Sequence, residues 1–225
     1  MSAAPADPFS DFLYPFMASQ PARSLETVLA EVRGSTLQKA QEVAALRQVF
    51  IAEQMPALVA AARDMAGAFA RGGQLLAFGN GGSATDAQDL VAGCVHPPAG
   101  CRPLPALSLT NDIGVVTAVG NDVGFENVYA RQIIAFGRPG DIAVGFSTSG
   151  ESPNLLAAFR QAQQQGLLTV GLAGYTGGKM AAAGLDHCFV VRSANVPRIQ
   201  EVHATIYHTL WELIQRLLEA EHEVC

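Results

Sequence analysis

Short apolar runs alternate with segments of helical periodicity from residue 75 onward. The runs cover residues 75–78, 104–109, 141–147, 167–173 and 188–192. They are apolar at nearly every position instead of alternating, which is typical of parallel strands covered on both faces. Amphipathic segments near residues 84–95, 124–136, 153–165, 177–183 and 198–221 separate and follow them. This order predicts an α/β fold with a doubly wound, five-stranded parallel sheet.

The N-terminal third of the chain has a helical pattern. Ser24 offers an N-cap, and the apolar residues that follow at helical spacing are Leu25, Val28, Leu29 and Val32. The pattern breaks at Gly34, and two further helices are predicted at residues 38–51 and 56–71. Residues 1–22 contain four prolines and predict an irregular arm. Residues 23–225 are therefore predicted to form one domain that includes N-terminal helices.

The N-terminal helices and the last helix carry more apolar surface than one face of a sheet needs. The last helix contributes Val202, Ile206, Leu210, Leu213, Ile214 and Leu217. Extra apolar faces usually mark subunit interfaces. We therefore expect a homo-oligomer with these helices at its contacts.

Composition narrows the class of protein. The chain has 225 residues, of which 49% are hydrophobic, and its net charge is −6. An acidic chain of this kind is a poor candidate for binding the phosphates of nucleic acid. The start of the sequence lacks a signal-peptide pattern, and no apolar run approaches the ~20 residues of a membrane span. The four cysteines, at 94, 101, 188 and 225, fit neither a zinc ribbon nor a redox pair. We expect a soluble cytoplasmic protein with reduced thiols.

Ligands of parallel α/β sheets bind at the carboxyl ends of the strands. Small polar residues and glycines follow four of the predicted strands, at residues 79–83, 110–112, 147–152 and 174–178. We refer to residues 79–83 as the glycine loop and to residues 147–152 as the serine loop. These loops are the predicted location of the functional site.

The serine loop is the most informative of the four. Its hydroxyl-bearing residues are Ser147, Thr148, Ser149 and Ser152. Pro153 follows at an early helical position, where its missing N–H costs nothing. Hydroxyls beside the free amides of a helix N-terminus suit a phosphate monoester. One serine would be enough to cap the helix, so four hydroxyls predict phosphate binding.

The glycine loop formally satisfies the Gly-x-Gly-x-x-Gly/Ala pattern of dinucleotide-binding proteins. The acid expected at the end of the second strand is missing, because Leu109 is followed by Thr110. The polar residues Asn80 and Ser83 suit sugar hydroxyls better. Binding of a nicotinamide dinucleotide is therefore the weaker interpretation.

Five motifs in this order resemble the phosphoheptose isomerases, which are sugar isomerase (SIS) domain proteins. The motifs are Gly79-Asn80-Gly81-Gly82-Ser83, Gly120-Asn121-Asp122, Ser147-Thr148-Ser149-Gly150-x-Ser152, Gly177-Gly178-Lys179-Met180 and Arg198-Ile199-Gln200-Glu201-x-His203. The resemblance runs from about residue 25 to residue 218. It implies a SIS-type, flavodoxin-like fold and interconversion of sedoheptulose 7-phosphate and glycero-manno-heptose 7-phosphate.

The resemblance also implies roles for individual residues. The phosphate would be bound by Ser147, Thr148, Ser149 and Ser152. The sugar would be contacted by Asn80, Gly81, Ser83, Asp122 and Gln200. Gln200 and His208 match residues of the last helix that line the active site. The family forms a homotetramer with sites built from neighbouring subunits, and many members hold a zinc ion.

Three positions depart from the family pattern. The family's helix after the first loop carries a histidine metal ligand and, one turn later, a glutamate base, and these positions are Asp89 and Gly93 here. A further acid of the family pattern is replaced here by Pro197. Isomerisation through an enediol needs a group that removes a proton and one that returns it. We expect Asp89, Gln200 and His208 to form the catalytic end, with the same three as candidate ligands if zinc is bound.

A sister group of SIS proteins supplies the alternative. Proteins that associate with the replication initiator share a Ser-Ala-x-x-Ala-Gln pattern, which is Ser83-Ala84-Thr85-Asp86-Ala87-Gln88 here. This resemblance implies a non-catalytic tetramer that binds a sugar phosphate and docks a protein partner. Three other motifs are closer to the isomerases. They are Gly81-Gly82-Ser83, Asn121-Asp122-x-Gly124-Phe125 and Ser147-Thr148-Ser149-Gly150.

Overall fold

The computed structural model describes residues 24–223, with side chains described as far as residue 220. Its five strands are β1 (Leu75–Gly79), β2 (Ala106–Ser108), β3 (Ile142–Ser147), β4 (Leu168–Gly174) and β5 (His187–Val191). All neighbouring strands pair in parallel in the order β2-β1-β3-β4-β5. The predicted five-stranded, doubly wound sheet is confirmed. The predicted arm at residues 1–22 lies outside the described residues.

Seven α-helices are present in the described residues. They are α1 (Leu25–Ala70), α2 (Gly82–Val95), α3 (Ile113–Asp122), α4 (Val128–Phe136), α5 (Pro153–Gln164), α6 (Gly178–Ala181) and α7 (Val196–Glu223), with a 3-10 turn at Phe125–Asn127. The prediction of separate N-terminal helices is wrong, because α1 continues through Gly34 and Pro56. These residues cost about 1 and 3 kcal/mol in a helix interior. Apolar side chains of α1 such as Leu58 and Met65 are almost fully buried, and this packing outweighs the cost at Pro56.

Two further elements differ from the sequence prediction. β2 is shorter than the predicted strand at residues 104–109, since Pro105 has no N–H to donate to a neighbouring strand. The carbonyl of Pro105 still accepts a hydrogen bond of 2.9 Å from Leu75 N. α3 has no counterpart in the prediction. Its glycines and β-branched residues have weak helix propensity, but Asp112 caps it by accepting a 2.9 Å hydrogen bond from Val115 N.

The sheet is buried on both faces. One face packs against side chains of α1, α2 and α7, and the other against α4, α5 and α6. The last helix does not present the free apolar face that its sequence suggested. Its residues Val202, Ile206, Leu210 and Ile214 are buried in the core of the chain itself. The prediction that they form a subunit interface is therefore corrected.

The described chain divides into two compact units between residues 41 and 42, with residues 24–41 in the first unit and residues 42–223 in the second. In the first unit, the apolar side chains Leu25, Val28, Leu29, Val32 and Leu37 are exposed. By length and composition, α1 is the one described helix able to cross a membrane. This is weak evidence, because the core helix of a soluble protein passes the same test. The predicted single domain at residues 23–225 stays a prediction.

Candidate functional site

The glycine and serine loops leave neighbouring strands at the same edge of the sheet. β1 pairs with β3 in parallel, and the chain order reverses between them, which is where such sheets bind ligands. Asn80 and Asn154 join the two loops through reciprocal side-chain hydrogen bonds of 2.9 and 2.8 Å. The Tyr129 hydroxyl donates to the carbonyl of Gly79 beneath them. The structure thus fixes Asn80 beside the first turn of α5.

The hydroxyls of the serine loop are close together. Ser147 Oγ lies 3.0 Å from Ser152 Oγ and 3.4 Å from Ser149 Oγ. Ser147 is buried, Ser149 is exposed, and Thr148 is half-buried between them. Ser152 precedes α5 as its N-cap residue, but within the described structure its hydroxyl caps none of the helix amides. The explanation that this serine only caps a helix is therefore not supported, and its hydroxyl faces the other serines.

The serine loop is fastened to the loop that follows β4. The backbone of Gly150 has φ of 67°, and a Cβ atom there would lie 2.0 Å from the Gly177 carbonyl oxygen. Glu151 accepts a 2.9 Å hydrogen bond from Lys179 N and forms a 2.8 Å ion pair with Lys179 Nζ. These hydrogen bonds and the charge of Lys179 lower the pKa of the Glu151 carboxyl. The serine loop is therefore attached to the chain segment that follows β4.

The glycine loop meets α7 through Gln200. A Cβ atom at Gly82 would lie 2.1 Å from Gln200 Nε2, so only glycine admits the glutamine at this distance. Burial and the nearby charge of Asp89 raise the pKa of Asp86 to about 6, while a hydrogen bond from the Gln200 side chain opposes this shift. Asp86 Oδ2 is buried with no hydrogen-bond partner within the described residues. Gln200 is thus brought to the glycine loop, as the sequence predicts.

Asp89 and His208 meet one helical turn further along α2. Asp89 Oδ2 lies 3.3 Å from His208 Nε2 and accepts a 2.6 Å hydrogen bond from the Tyr207 hydroxyl. They border a cavity of about 210 Å³, whose lining residues are Asp89, Leu90, Gly93, Pro98, Tyr207, His208 and Trp211. A Cβ atom at Gly93 would meet no described atom within 4 Å. The absent side chain at residue 93 leaves this cavity open.

The remaining predicted site residues are Gly81, Ser83 and Asp122. Gly81 precedes α2 with φ of 56°, and Ser83 is buried in the first turn of that helix. Asp122 ends α3, is exposed, and accepts a 2.7 Å hydrogen bond from Asn121 Nδ2. The sequence predictions did not include the functional candidates Asp86, Tyr129, Asn154 and Tyr207. Asp86 carried a signal, because residues three apart on a helix share a face.

Zinc needs three or four suitable protein ligands. Of the three candidates, Asp89 already accepts a hydrogen bond from Tyr207 and lies 3.3 Å from His208, and the Gln200 side chain lies close enough to Asp86 to lower its pKa. No group of three or more histidine, cysteine or acidic side chains in the described structure is placed to hold a metal ion. The described side chains do not fit a zinc site, and zinc stays a prediction of the resemblance.

Comparisons with known proteins define first the class and then the family. A family model described as the SIS domain matches residues 40–174. A phosphoheptose isomerase of Solidesulfovibrio magneticus is 49% identical over 179 residues, which cover 79% of this chain and 87% of that protein. The solved phosphoheptose isomerase of Neisseria gonorrhoeae has a TM-score of 0.71 and 34% identity, over 85% of this chain and 98% of its own.

The solved phosphoheptose isomerase of Francisella tularensis gives the same result. Its TM-score is 0.74 and its identity 32%, over 84% of this chain and 98% of its own. The chain therefore belongs to the phosphoheptose isomerase family of SIS-domain proteins.

Proposed function

We propose that the protein is an isomerase that converts sedoheptulose 7-phosphate into an aldoheptose 7-phosphate. The observation that carries this proposal is the serine loop, in which Ser147 Oγ lies within 3.4 Å of both the Ser149 and the Ser152 hydroxyl. The loop directly precedes α5, whose first amides receive no side-chain cap from Ser152. Ser147, Thr148, Ser149 and Ser152 bind the phosphate. The names of the relatives, which are phosphoheptose isomerases, support the same reaction.

The reaction moves one proton between two carbons through an enediol. His208 removes a proton from C1 of the ketose, and the C2 carbonyl oxygen gains a proton. The proton is then returned to C2 while the C1 hydroxyl loses its own, which leaves an aldehyde at C1. Imidazole suits this role because one ring nitrogen can accept a proton while the other donates one. Asn80, Gly81, Ser83, Asp122 and Gln200 hold the sugar hydroxyls, and no step depends on zinc.

Turnover of sedoheptulose 7-phosphate by the purified chain tests the proposal. Product formation is followed by liquid chromatography with mass detection for the wild type, His208→Ala and Ser149→Ala. A positioned acid or base contributes about 10²–10⁴-fold, so His208→Ala lowers kcat by that factor. Ser149→Ala mainly raises KM. Binding without turnover in the wild type would contradict the proposal and support the non-catalytic, partner-docking SIS protein.

The oligomer and cellular location belong to the same proposal. The protein is a homotetramer in the cytoplasm. The exposed apolar residues at the N-terminal end of α1 support the tetramer, since faces of this kind usually mark interfaces. The net charge of −6 argues against direct binding of nucleic acid.

A further inference from the structure

Tyr207 is buried, whereas the two groups it adjoins are exposed. Tyr207 is 3% exposed, and its ring packs edge-on against Phe146 of β3, with the ring centroids 5.7 Å apart. The side chains of Asp89 and His208 are 55% and 64% exposed. An exposed ion pair alone holds its partners weakly. The rigid member of this group is therefore the tyrosine.

The hydroxyl of Tyr207 donates a hydrogen bond to Asp89. The bond reaches Asp89 Oδ2 over 2.6 Å, and a carboxylate oxygen can only accept it. The same oxygen lies 3.3 Å from His208 Nε2. Tyr207 thus fixes the carboxylate that faces the imidazole.

The carboxylate of Asp89 faces one of the two ring nitrogens of His208. That nitrogen is Nε2, 3.3 Å from Asp89 Oδ2, and a carboxylate oxygen accepts hydrogen bonds. Asp89 therefore favours the hydrogen on Nε2 and leaves Nδ1 as the nitrogen that takes a proton from the substrate. Gly93, one turn along α2, supplies no side chain that could orient the imidazole instead.

We propose that Tyr207 is a positioning residue, which holds Asp89 so that the carboxylate fixes the orientation and tautomer of His208. The proposal rests on the proposed function, in which His208 transfers the proton. Tyr207 itself touches no reacting atom. Asp89 is assigned the same positioning role, and it is not the base of the reaction.

Tyr207→Phe tests the proposal, because it removes the hydroxyl and keeps the ring. Loss of the partner that orients a metal-binding histidine typically costs about 10–100-fold, and we expect a loss of this order in kcat here, with KM unchanged. Asp89→Ala gives at least the same loss. The double variant Tyr207→Phe/Asp89→Ala is no slower than Asp89→Ala, because both changes break one chain of contacts.

Thr209→Val is the matched control. It removes a hydroxyl from the same helix, one that donates only to the helix carbonyl of Thr205 over 2.8 Å. Its kcat stays at the wild-type value. Equal kcat values for Tyr207→Phe and Thr209→Val would overturn the proposal, as would losses that multiply in the double variant. Urea unfolding of each variant separates a kinetic effect from a loss of folded protein.

A measurement without substrate separates failure of this proposal from failure of the proposed function. The two ¹⁵N chemical shifts of the His208 imidazole report its tautomer and are assigned with His208→Gln. We expect them to change in Tyr207→Phe and Asp89→Ala and to stay constant in Thr209→Val. Unchanged shifts would overturn the positioning role even if the wild type is active. Changed shifts in an inactive wild type would keep the positioning role and reject the isomerase.

Discussion

Ser152 stands where a helix cap is expected, yet its hydroxyl lies with the other serines. Asp112, by contrast, caps α3 through a hydrogen bond of 2.9 Å to Val115 N. Variants of the two residues therefore distinguish an effect on ligand binding from an effect on helix stability. Loss of a real N-cap costs about 1 kcal/mol of folding stability.

Ser152→Ala is expected to weaken sugar phosphate binding with little effect on stability. A hydrogen bond to a charged group contributes about 1.5–3 kcal/mol, which corresponds to a rise in Kd of about 10–100-fold. Asp112→Ala has the opposite pattern, with lower stability and unchanged Kd. Calorimetric titration and urea unfolding measure both quantities. A loss of stability in Ser152→Ala without a change in Kd would show that the serine is only structural.

His203 makes the stability of the protein depend on pH. Burial lowers its pKa to about 4 from 6.5, although its hydrogen bond to the Ala173 carbonyl opposes this. Between these values the unfolded chain binds a proton at residue 203 that the folded chain does not, so the contribution of His203 to the free energy of unfolding decreases as pH falls. The full effect is about 3 kcal/mol. We expect His203→Gln to lose this dependence in urea unfolding at pH 7 and pH 5.

An exposed histidine provides the control for that experiment. His96 lies on the surface after α2, and His96→Gln is expected to keep the wild-type difference between the two pH values. Equal pH dependence in His203→Gln and the wild type would contradict the account of a neutral, buried imidazole.

Only part of the candidate site could be predicted from the sequence. The serine loop and Asn80 follow predicted strands, so their position at the sheet edge came from the strand pattern. The contact of Tyr207 with Asp89 joins residues that are 118 positions apart. This contact depends on how α2 and α7 pack against each other, which no local sequence pattern predicts.

At the scale of elements, α1 shows tertiary packing overriding a local signal at Pro56, where neighbours such as Leu58 are buried. Five strands were predicted because each is a buried apolar run. Gly34 and Pro56 predicted helix ends that the structure does not have. α3 was missed because its residues have weak helix propensity, and its cap at Asp112 was the available signal.

Gly34→Ala is expected to stabilise α1. A Cβ atom at this position meets no described atom within 4 Å, and replacing a helical glycine by alanine gains about 0.5–1 kcal/mol. Gly72, with φ of 85°, is the contrasting position, where alanine is strained and lowers stability. Thermal unfolding compares the two variants. A lower midpoint for Gly34→Ala would contradict a continuous helix through residue 34.

At the scale of the whole molecule, the exposed apolar residues of the first unit predict assembly. Leu29→Glu places a charge on that face, and we expect it to lower the mass found by light scattering from a tetramer to a smaller species. Thr27→Glu adds the same charge about 160° from Leu29 around the helix and is expected to leave the mass unchanged. Equal masses for both variants would show that this face is not an interface.

Proton transfer by the wild-type chain is the most direct test of the central claim. Sedoheptulose 7-phosphate is incubated with the protein in D₂O and followed by ¹H NMR. The account predicts signals of an aldose 7-phosphate, with deuterium at C2 because the abstracted proton exchanges with solvent before its return. Unchanged substrate signals at a protein concentration that binds the substrate would contradict it.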